Sequence, residues 1–175
     1  MNELVEKAKL GDKKSFTDLM ILIKQDLYKL SKIKLSNNDD IADAIQNTML
    51  IAFVSIKSLK NNEYFKTWII RILINECNKI YRQKKHTNYI SLSDSEKTLI
   101  SSNDINLCNE NLNIDFLCKH LKYEERIVIF LYYGERYTDK EIGQILKTNE
   151  NTIKTRRIRA IKKIQKLHGK EFSYE

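Results

Sequence analysis

Basic side chains are concentrated near the C-terminal end of this sequence. Between residues 147 and 170 a single acidic residue, Glu150, accompanies nine Lys and Arg residues, namely Lys147, Lys154, Arg156, Arg157, Arg159, Lys162, Lys163, Lys166 and Lys170. Cations at this density bind phosphates, and Arg can also donate paired hydrogen bonds to base edges. The whole chain has a net charge of +8 and a pI of about 9.3, which favours a polyanionic partner. Net charge alone does not show whether that partner is DNA, RNA or an anionic membrane.

Residues that could perform covalent chemistry are not grouped in the sequence. The three His residues, His86, His120 and His168, lie in different segments, and no paired carboxylates, CxxC motif or Gly-rich phosphate loop is present. The Cys residues are odd in number and widely spaced, at Cys77, Cys108 and Cys118. We therefore expect a binding protein and not an enzyme, with no metal, no cofactor and no small-molecule substrate.

The composition predicts an all-α protein. The chain has 175 residues with 42% hydrophobic content, 4 Gly and 0 Pro. Few residues therefore interrupt the helical stretches, whereas a sheet-rich fold needs more turn residues. This length is enough for one medium domain or two small ones. No signal peptide or spanning segment is recognisable, so we expect a cytoplasmic protein.

The basic segment has the pattern of a helix-turn-helix. Thr138 and Glu141 have the spacing of a capping box, which begins a helix. Gly143 is the small residue that allows two helices to meet at a steep angle, and Asn149 is a candidate N-cap for the second helix. The segment therefore predicts that the second, basic helix enters a DNA groove.

The helical period assigns two faces to that second helix, because each residue turns it by about 100°. Ile153, Ala160, Ile164 and Leu167 share the side predicted to be buried. The candidate DNA contacts lie around the remaining surface and are Thr152, Lys154, Thr155, Arg156, Arg157, Arg159 and Lys162. Such a helix would contact base edges near its N-terminal end and phosphates farther along. A basic surface helix without a nucleic-acid partner is the alternative.

The first half of the chain carries a second candidate surface for nucleic acid. A polar loop from residues 57 to 66 precedes an amphipathic helix that ends in a basic run. Aromatic rings beside cations suit single-stranded nucleic acid, since bases stack on rings while cations hold the backbone. The candidates are Asn62, Tyr64, Phe65, Trp68, Arg71, Asn75, Lys79 and Arg82. Trp68 and Phe65 could equally be core residues.

The helix predicted from Ile41 to Ser58 has a compact polar patch, formed by Asp43, Gln46 and Asn47. This patch fits either a partner surface or a plain solvated face. From Thr87 to Asp115 the helical periodicity fades, and five acidic residues stand against one basic residue, Lys97. Such a composition predicts a flexible acidic linker.

Taken together, these motifs resemble a bacterial RNA polymerase sigma factor of the extracytoplasmic-function group, in the sigma-70 family. The stretch from Phe65 to Lys85 resembles regions 2.3 and 2.4, and the stretch from Leu121 to Ile164 resembles region 4. The resemblance implies two small helical domains. We expect the region 2 domain at residues 1–86, the linker at 87–111 and the helix-turn-helix region 4 domain at 112–170.

The resemblance also implies roles for the candidate residues. The patch at Asp43, Gln46 and Asn47 would bind core RNA polymerase. The loop and basic helix of region 2 would bind the −10 promoter element, and region 4 would recognise the −35 element, so that promoter DNA and core polymerase are the expected partners. An anti-sigma factor is a further partner that the family allows. The alternative function is a stand-alone helix-turn-helix transcriptional regulator.

Some residues depart from the family pattern. Asn47 stands where Glu is usual, Lys79 replaces a frequent Asp, and Lys147 occupies a turn position usually held by Gly. Arg157 occupies a position where a buried Leu or Ile is common. Arg157 is therefore either a shifted DNA contact or a side chain at the edge of the core.

Overall fold

The computed structural model describes residues 1–91 and 120–168 and is helical throughout, with no strand among those residues. The chain divides into two compact units, Met1–Asp104 and Ile105–Glu175. The all-α prediction is confirmed. Within the described part of the chain, no helix is both long and apolar enough to span a membrane.

The first unit is built from helices α1 (Asn2–Lys9), α2 (Lys13–Lys32), α3 (Asn38–Ser55) and α4 (Phe65–Ser91), with 3₁₀ turns at Ile56–Ser58 and Asn62–Tyr64. Side chains cap the N-terminal ends of two of these helices. Asp12 accepts a hydrogen bond from the backbone N–H of Lys14, and Asn37 accepts from those of Asp39 and Asp40. Each of these caps satisfies N–H groups that lack a partner within the helix.

The core of the first unit is formed by the apolar faces of α2, α3 and α4. Its largest fully buried side chains are Leu19, Ile23, Leu27, Ile41, Phe65, Ile69 and Leu73. Cys77 is also buried, and this burial raises the pKa of its thiol to about 11. Leu50 and Phe53 belong to the apolar pattern of α3 but are 58% and 48% exposed. The helical period alone therefore does not place every apolar residue of α3 in the core.

The second unit contains α5 (Tyr123–Ile129), which widens into a π-turn at Phe130–Gly134, followed by α6 (Asp139–Leu146) and α7 (Glu150–His168). In the widened turn the N–H of Glu135 donates to the carbonyl oxygen of Phe130. The largest fully buried side chains are Ile127, Leu131, Ile142, Ile145 and Ile153. These residues hold α5, α6 and α7 around one small core.

Two predictions fall wholly or partly outside the described residues. The acidic linker was expected to begin at Thr87, but α4 continues to Ser91. The rest of the linker lies outside the described residues, as do residues 112–119 of the expected region 4 domain.

Candidate nucleic-acid interface

A tight turn joins α6 to α7. Thr138 and Glu141 form the predicted capping box: the N–H of Thr138 donates to Glu141 Oε2 at 2.8 Å, and the N–H of Glu141 donates to Thr138 Oγ1 at 3.3 Å. At the other end of α6, Lys147 adopts the left-handed conformation, with φ 51° and ψ 47°. Asn149 then begins α7, because its Oδ1 accepts from the N–H of Asn151 at 2.8 Å. The capping box and the Asn149 cap are confirmed.

The outer surface of α7 carries most of its predicted DNA-binding residues. Ile153, Ala160 and Ile164 are buried, as predicted, and the predicted burial of Leu167 lies outside the side chains that the structure describes. The exposed residues are Thr152, Lys154, Thr155, Arg159 and Lys162, and Arg156 is half-buried at the border. Within the described residues, Lys154, Arg159 and Lys162 have no carboxylate partner. A polyanion could therefore bind them without breaking an internal ion pair.

Arg157 does not belong to that outer surface. Its Nε and Nη2 atoms donate to the two carboxylate oxygens of Asp139 at 2.9 and 2.7 Å, and the guanidinium lies 4.0 Å from the ring centre of Tyr132. The hydrogen bond to Asp139 raises the pKa of Arg157. The side chain is only 15% exposed, which favours the second of the two roles left open by the sequence, a side chain at the edge of the core. The next residue, Ile158, is 40% exposed. It has therefore not taken the place of Arg157 on the buried side of α7.

A second ion pair attaches α7 to α5. Lys163 Nζ donates to Glu125 Oε1 at 2.5 Å, and Glu125 Oε2 accepts from the backbone N–H of Lys122 at 3.0 Å. Burial raises the pKa of the Glu125 carboxyl, but the hydrogen bonds from Lys163 and Lys122 outweigh it and leave the pKa below its ordinary value. Glu125 thus both caps α5 and holds the middle of α7.

The candidate −10 residues of α4 form one stripe along the helix. Because α4 is continuous, the spacing of Trp68, Arg71, Asn75, Lys79 and Arg82 places them within about 80° of one another around the axis. The stripe is roughly 21 Å long at 1.5 Å per residue. Asn75, Lys79 and Arg82 are exposed, and Trp68 and Arg71 are half-buried. A basic stripe of this length suits the backbone of a nucleic-acid strand.

The loop before α4 is attached to the first helix through Asn62. Its side-chain Nδ2 donates to Glu6 Oε2 at 2.6 Å, and its Oδ1 accepts from Lys9 Nζ at 3.2 Å. Asn62 therefore already uses both ends of its amide within the protein. The next aromatic residue, Tyr64, is 52% exposed and leaves a ring available for stacking.

Phe65 is not available for stacking on a base. It is 0% exposed, and its ring centre lies 6.1 Å from that of Trp68. Phe65 therefore has the core role that the sequence left open for it, because the first residue of α4 faces the core. Its ring packs against that of Trp68 from the core side.

The candidate polymerase-binding patch lies on α3 and continues into apolar residues. Asp43 and Gln46 are exposed, and Asn47 is half-buried. Helical spacing continues this stripe to Leu50 and Val54, which are 58% and 81% exposed. The sequence pattern did not single out these two residues as a surface, because apolar side chains on an amphipathic helix usually face the core. Exposed apolar residues next to polar ones are typical of protein interfaces.

A cleft of about 490 Å³ lies between α2 and α3. Its lining is mostly apolar and includes Met20, Ile21, Ile45 and Met49. Gln46 of the α3 patch also lines the cleft, and Ile21 is 68% exposed at it. The α3 patch and this cleft therefore form a continuous surface of the first unit.

Comparison with known sequences places each unit in a family. The family model for sigma-70 region 2 matches residues 22–87, and that for sigma-70 region 4 matches residues 119–166. The RNA polymerase sigma factor SigV of Bacillus subtilis is 30% identical over 139 residues, which cover 79% of this chain and 82% of SigV. The chain belongs to the sigma-70 family, in its extracytoplasmic-function group. It is a sigma factor that recognises promoters for RNA polymerase.

Other proteins agree with this assignment. The ECF RNA polymerase sigma factor SigW of B. subtilis is 29% identical to this sigma factor over 87% of the chain and 88% of SigW. Among solved structures, the sigma factor RpoE of Bartonella quintana, crystallised with the anti-sigma factor NepR, matches with a TM-score of 0.73 at 20% identity, over 91% of this chain and 99% of that one. CnrH, solved in complex with the cytosolic domain of CnrY, matches with a TM-score of 0.68 at 19% identity, over 95% of each chain. These two structures support the fold.

Proposed function

We propose that α7 recognises the −35 element through its exposed side chains. Thr152, Thr155 and Arg159 would contact the DNA from the N-terminal half of the helix, with Arg156 at the border. Lys154 and Lys162 would contact phosphates. The observation that carries this proposal is that Lys154, Arg159 and Lys162 are exposed on the outer surface of α7, opposite Ile153 and Ala160, and have no carboxylate partner within the described part of the chain. Phosphate contacts position such a helix, and base contacts provide specificity.

The α4 stripe and Tyr64 would bind the −10 element. Melting a base pair costs a few kcal/mol for each unstacked step. Stacking of a base on an aromatic ring returns about 1–3 kcal/mol, and Tyr64 is exposed enough to provide it. Arg71, Asn75, Lys79 and Arg82 would hold the strand, with Trp68 forming the start of the stripe. Asn62 would position the loop through its bonds to α1.

The surface of α3 would bind core RNA polymerase. Asp43, Gln46 and Asn47 supply its polar part, and Leu50 and Val54 supply apolar area that burial would stabilise by about 25 cal/mol per Å². An anti-sigma factor would compete for the same surface and the adjoining cleft. The structures of RpoE and CnrH were each solved in complex with a partner, and this motivates the proposal.

The finer domain limits also remain a proposal. Region 2 would take residues 1–86, the linker 87–111 and region 4 residues 112–170. We assign no covalent reaction to the chain: its role is binding, positioning and strand separation, and it would act in the cytoplasm with the polymerase. A stand-alone regulator would bind duplex DNA tightly by itself, whereas a sigma factor depends on core polymerase for that.

The test is a competition assay with holoenzyme reconstituted from core polymerase and the full chain. Arg159→Ala should weaken binding to selected promoter fragments by about 1–3 kcal/mol if the residue contacts a base. It should have no effect on fragments whose −35 sequence has been replaced. Val54→Asp should instead weaken assembly with core polymerase and leave the melting temperature of the free protein unchanged. Wild-type behaviour of both variants would remove the support for both surfaces.

A further inference from the structure

Arg157 occupies a core position of α7 with a charged side chain. It follows Ile153 by four residues and precedes Ala160 and Ile164 on the same face, and those three neighbours are buried. Its side chain is 15% exposed and that of Asp139 is 13% exposed. The charge is therefore largely removed from solvent, and it is compensated by one carboxylate held in a bidentate geometry.

This one side chain connects the three helices that the structure describes in the second unit. Asp139 lies in the first turn of α6, Tyr132 lies in the π-turn that follows α5, and Arg157 itself belongs to α7. The guanidinium is planar, so the paired bonds to Asp139 and the stacking on Tyr132 at 4.0 Å define a single orientation. A buried Leu would fill the space but would fix the rotation of α7 less narrowly, since dispersion contacts are not directional.

The neighbours of Arg157 on α7 are the residues proposed to contact DNA. Arg156 precedes it directly, and Arg159 follows two residues later on the exposed side. Rotation of α7 by one residue, about 100°, would turn these side chains away from the groove. The contact between Arg157 and Asp139 therefore determines which way the outer surface of α7 faces.

We propose that Arg157 is a positioning residue for promoter recognition, which sets the rotation of α7 through Asp139 and Tyr132 and does not contact DNA itself. The proposal rests on the assignment of α7 to the −35 element. It explains why this chain can carry a charged residue where a buried aliphatic one would suffice for packing. It also makes Asp139, an acidic residue in a DNA-binding unit, a contributor to specificity.

The test uses holoenzyme made from core polymerase and the full chain. The probes are duplex fragments that wild-type holoenzyme selects from a randomised promoter library, and matched fragments with the −35 sequence replaced. Two quantities are measured: the ratio of affinities for the two probes, and the dependence of affinity on salt. The variants are Arg157→Leu, Arg157→Lys and Asp139→Asn, and Arg159→Leu is the matched control for loss of an Arg from the same helix.

The proposal predicts that all three variants lose −35 discrimination by about tenfold, with the salt dependence of wild type. Asp139→Asn is the sharpest of them. If charge alone mattered, removing a negative charge should strengthen binding to both probes equally and leave their affinity ratio unchanged. A loss of discrimination in this variant therefore indicates that α7 is misplaced. If Arg157→Leu fails to fold, Asp139→Asn and Arg157→Lys decide the outcome.

Other results would overturn the proposal. If Arg157→Leu keeps its discrimination but lowers the salt slope by about one, Arg157 is a phosphate contact. If the Arg157 and Asp139 variants discriminate like wild type while Arg159→Leu does not, the proposal fails but α7 remains the reading helix. If Arg159→Leu also discriminates like wild type, the assignment of α7 to the −35 element fails first.

Discussion

A Cβ atom added to Gly143 would lie 2.7 Å from the backbone carbonyl oxygen of Thr148. That distance is shorter than real Cβ contacts allow, and the obstacle is backbone that cannot rotate away. Gly143 also accepts the N–H of Thr148 at 2.9 Å through its own carbonyl. The close approach of α6 to the turn therefore requires glycine at this position.

Gly143→Ala should destabilise the second unit by about 1–3 kcal/mol, because the turn must open to accommodate the methyl group. The measurement is thermal or urea unfolding of the full chain, followed by circular dichroism. Gly134→Ala is the matched control, since its Cβ would meet only the Phe130 ring, at 3.5 Å. Equal stability of the two variants would contradict the close packing described for the turn.

Lys147 adopts an unfavourable backbone conformation at the end of α6, where its φ is 51°. Glycine adopts this region without the steric conflict that a Cβ causes. Lys147→Gly should therefore raise the free energy of unfolding by about 0.5–1 kcal/mol. As a control, Lys154→Gly within α7 should lower it by about 1 kcal/mol. A lower melting temperature for Lys147→Gly would argue against the left-handed conformation.

Substitution of the adjacent aromatic residues Tyr64 and Phe65 should affect two different properties, promoter opening and protein stability. Tyr64→Ala should reduce the permanganate reactivity of −10 thymines in holoenzyme complexes and leave the melting temperature of the free protein unchanged, because its ring is exposed. Phe65→Ala should instead destabilise the first unit by about 3–5 kcal/mol. Tyr81→Ala serves as the control, since Tyr81 is 40% exposed and lies off the α4 stripe. Footprints of Tyr64→Ala identical to wild type would exclude its stacking role.

The Glu125 carboxylate should make the stability of the second unit sensitive to acid. Its pKa is lowered in the folded protein, since the hydrogen bonds from Lys163 and Lys122 outweigh the effect of burial. A lowered folded-state pKa contributes stability above the ordinary pKa, and that stability is lost as the pH falls through the folded-state value. Glu125→Gln should cost about 1–2 kcal/mol at neutral pH. The difference from wild type should shrink as the pH falls through the folded-state pKa of Glu125, and a difference that is constant with pH would contradict the ion pair with Lys163.

Local and periodic features could be predicted from the sequence. The capping box at Thr138 and Glu141 and the N-cap at Asn149 depend on neighbouring residues, so their side chains reach their partners whatever the rest of the fold does. The buried side of α7 follows from the helical period. These features were enough to place the helix-turn-helix and, apart from Arg157, the outer surface of α7.

Contacts between residues distant in sequence could not be predicted in this way. Asn62 binds Glu6, 56 residues away, and Arg157 binds Asp139, 18 residues away. No local sequence pattern predicts such pairs, because the two residues come together only when their helices pack against each other. The same applies to Phe65 and Leu50: an aromatic at the start of a helix and an aliphatic at its edge can face either way until the neighbouring helices are in place.

Run-off transcription with core RNA polymerase and a promoter library tests the central claim most directly. Addition of the full chain should yield transcripts from a subset of templates that share −10 and −35 sequences, and the free chain should bind the same duplexes weakly. Transcription no higher than with core polymerase alone, together with tight duplex binding by the free chain, would contradict the account and favour a stand-alone regulator.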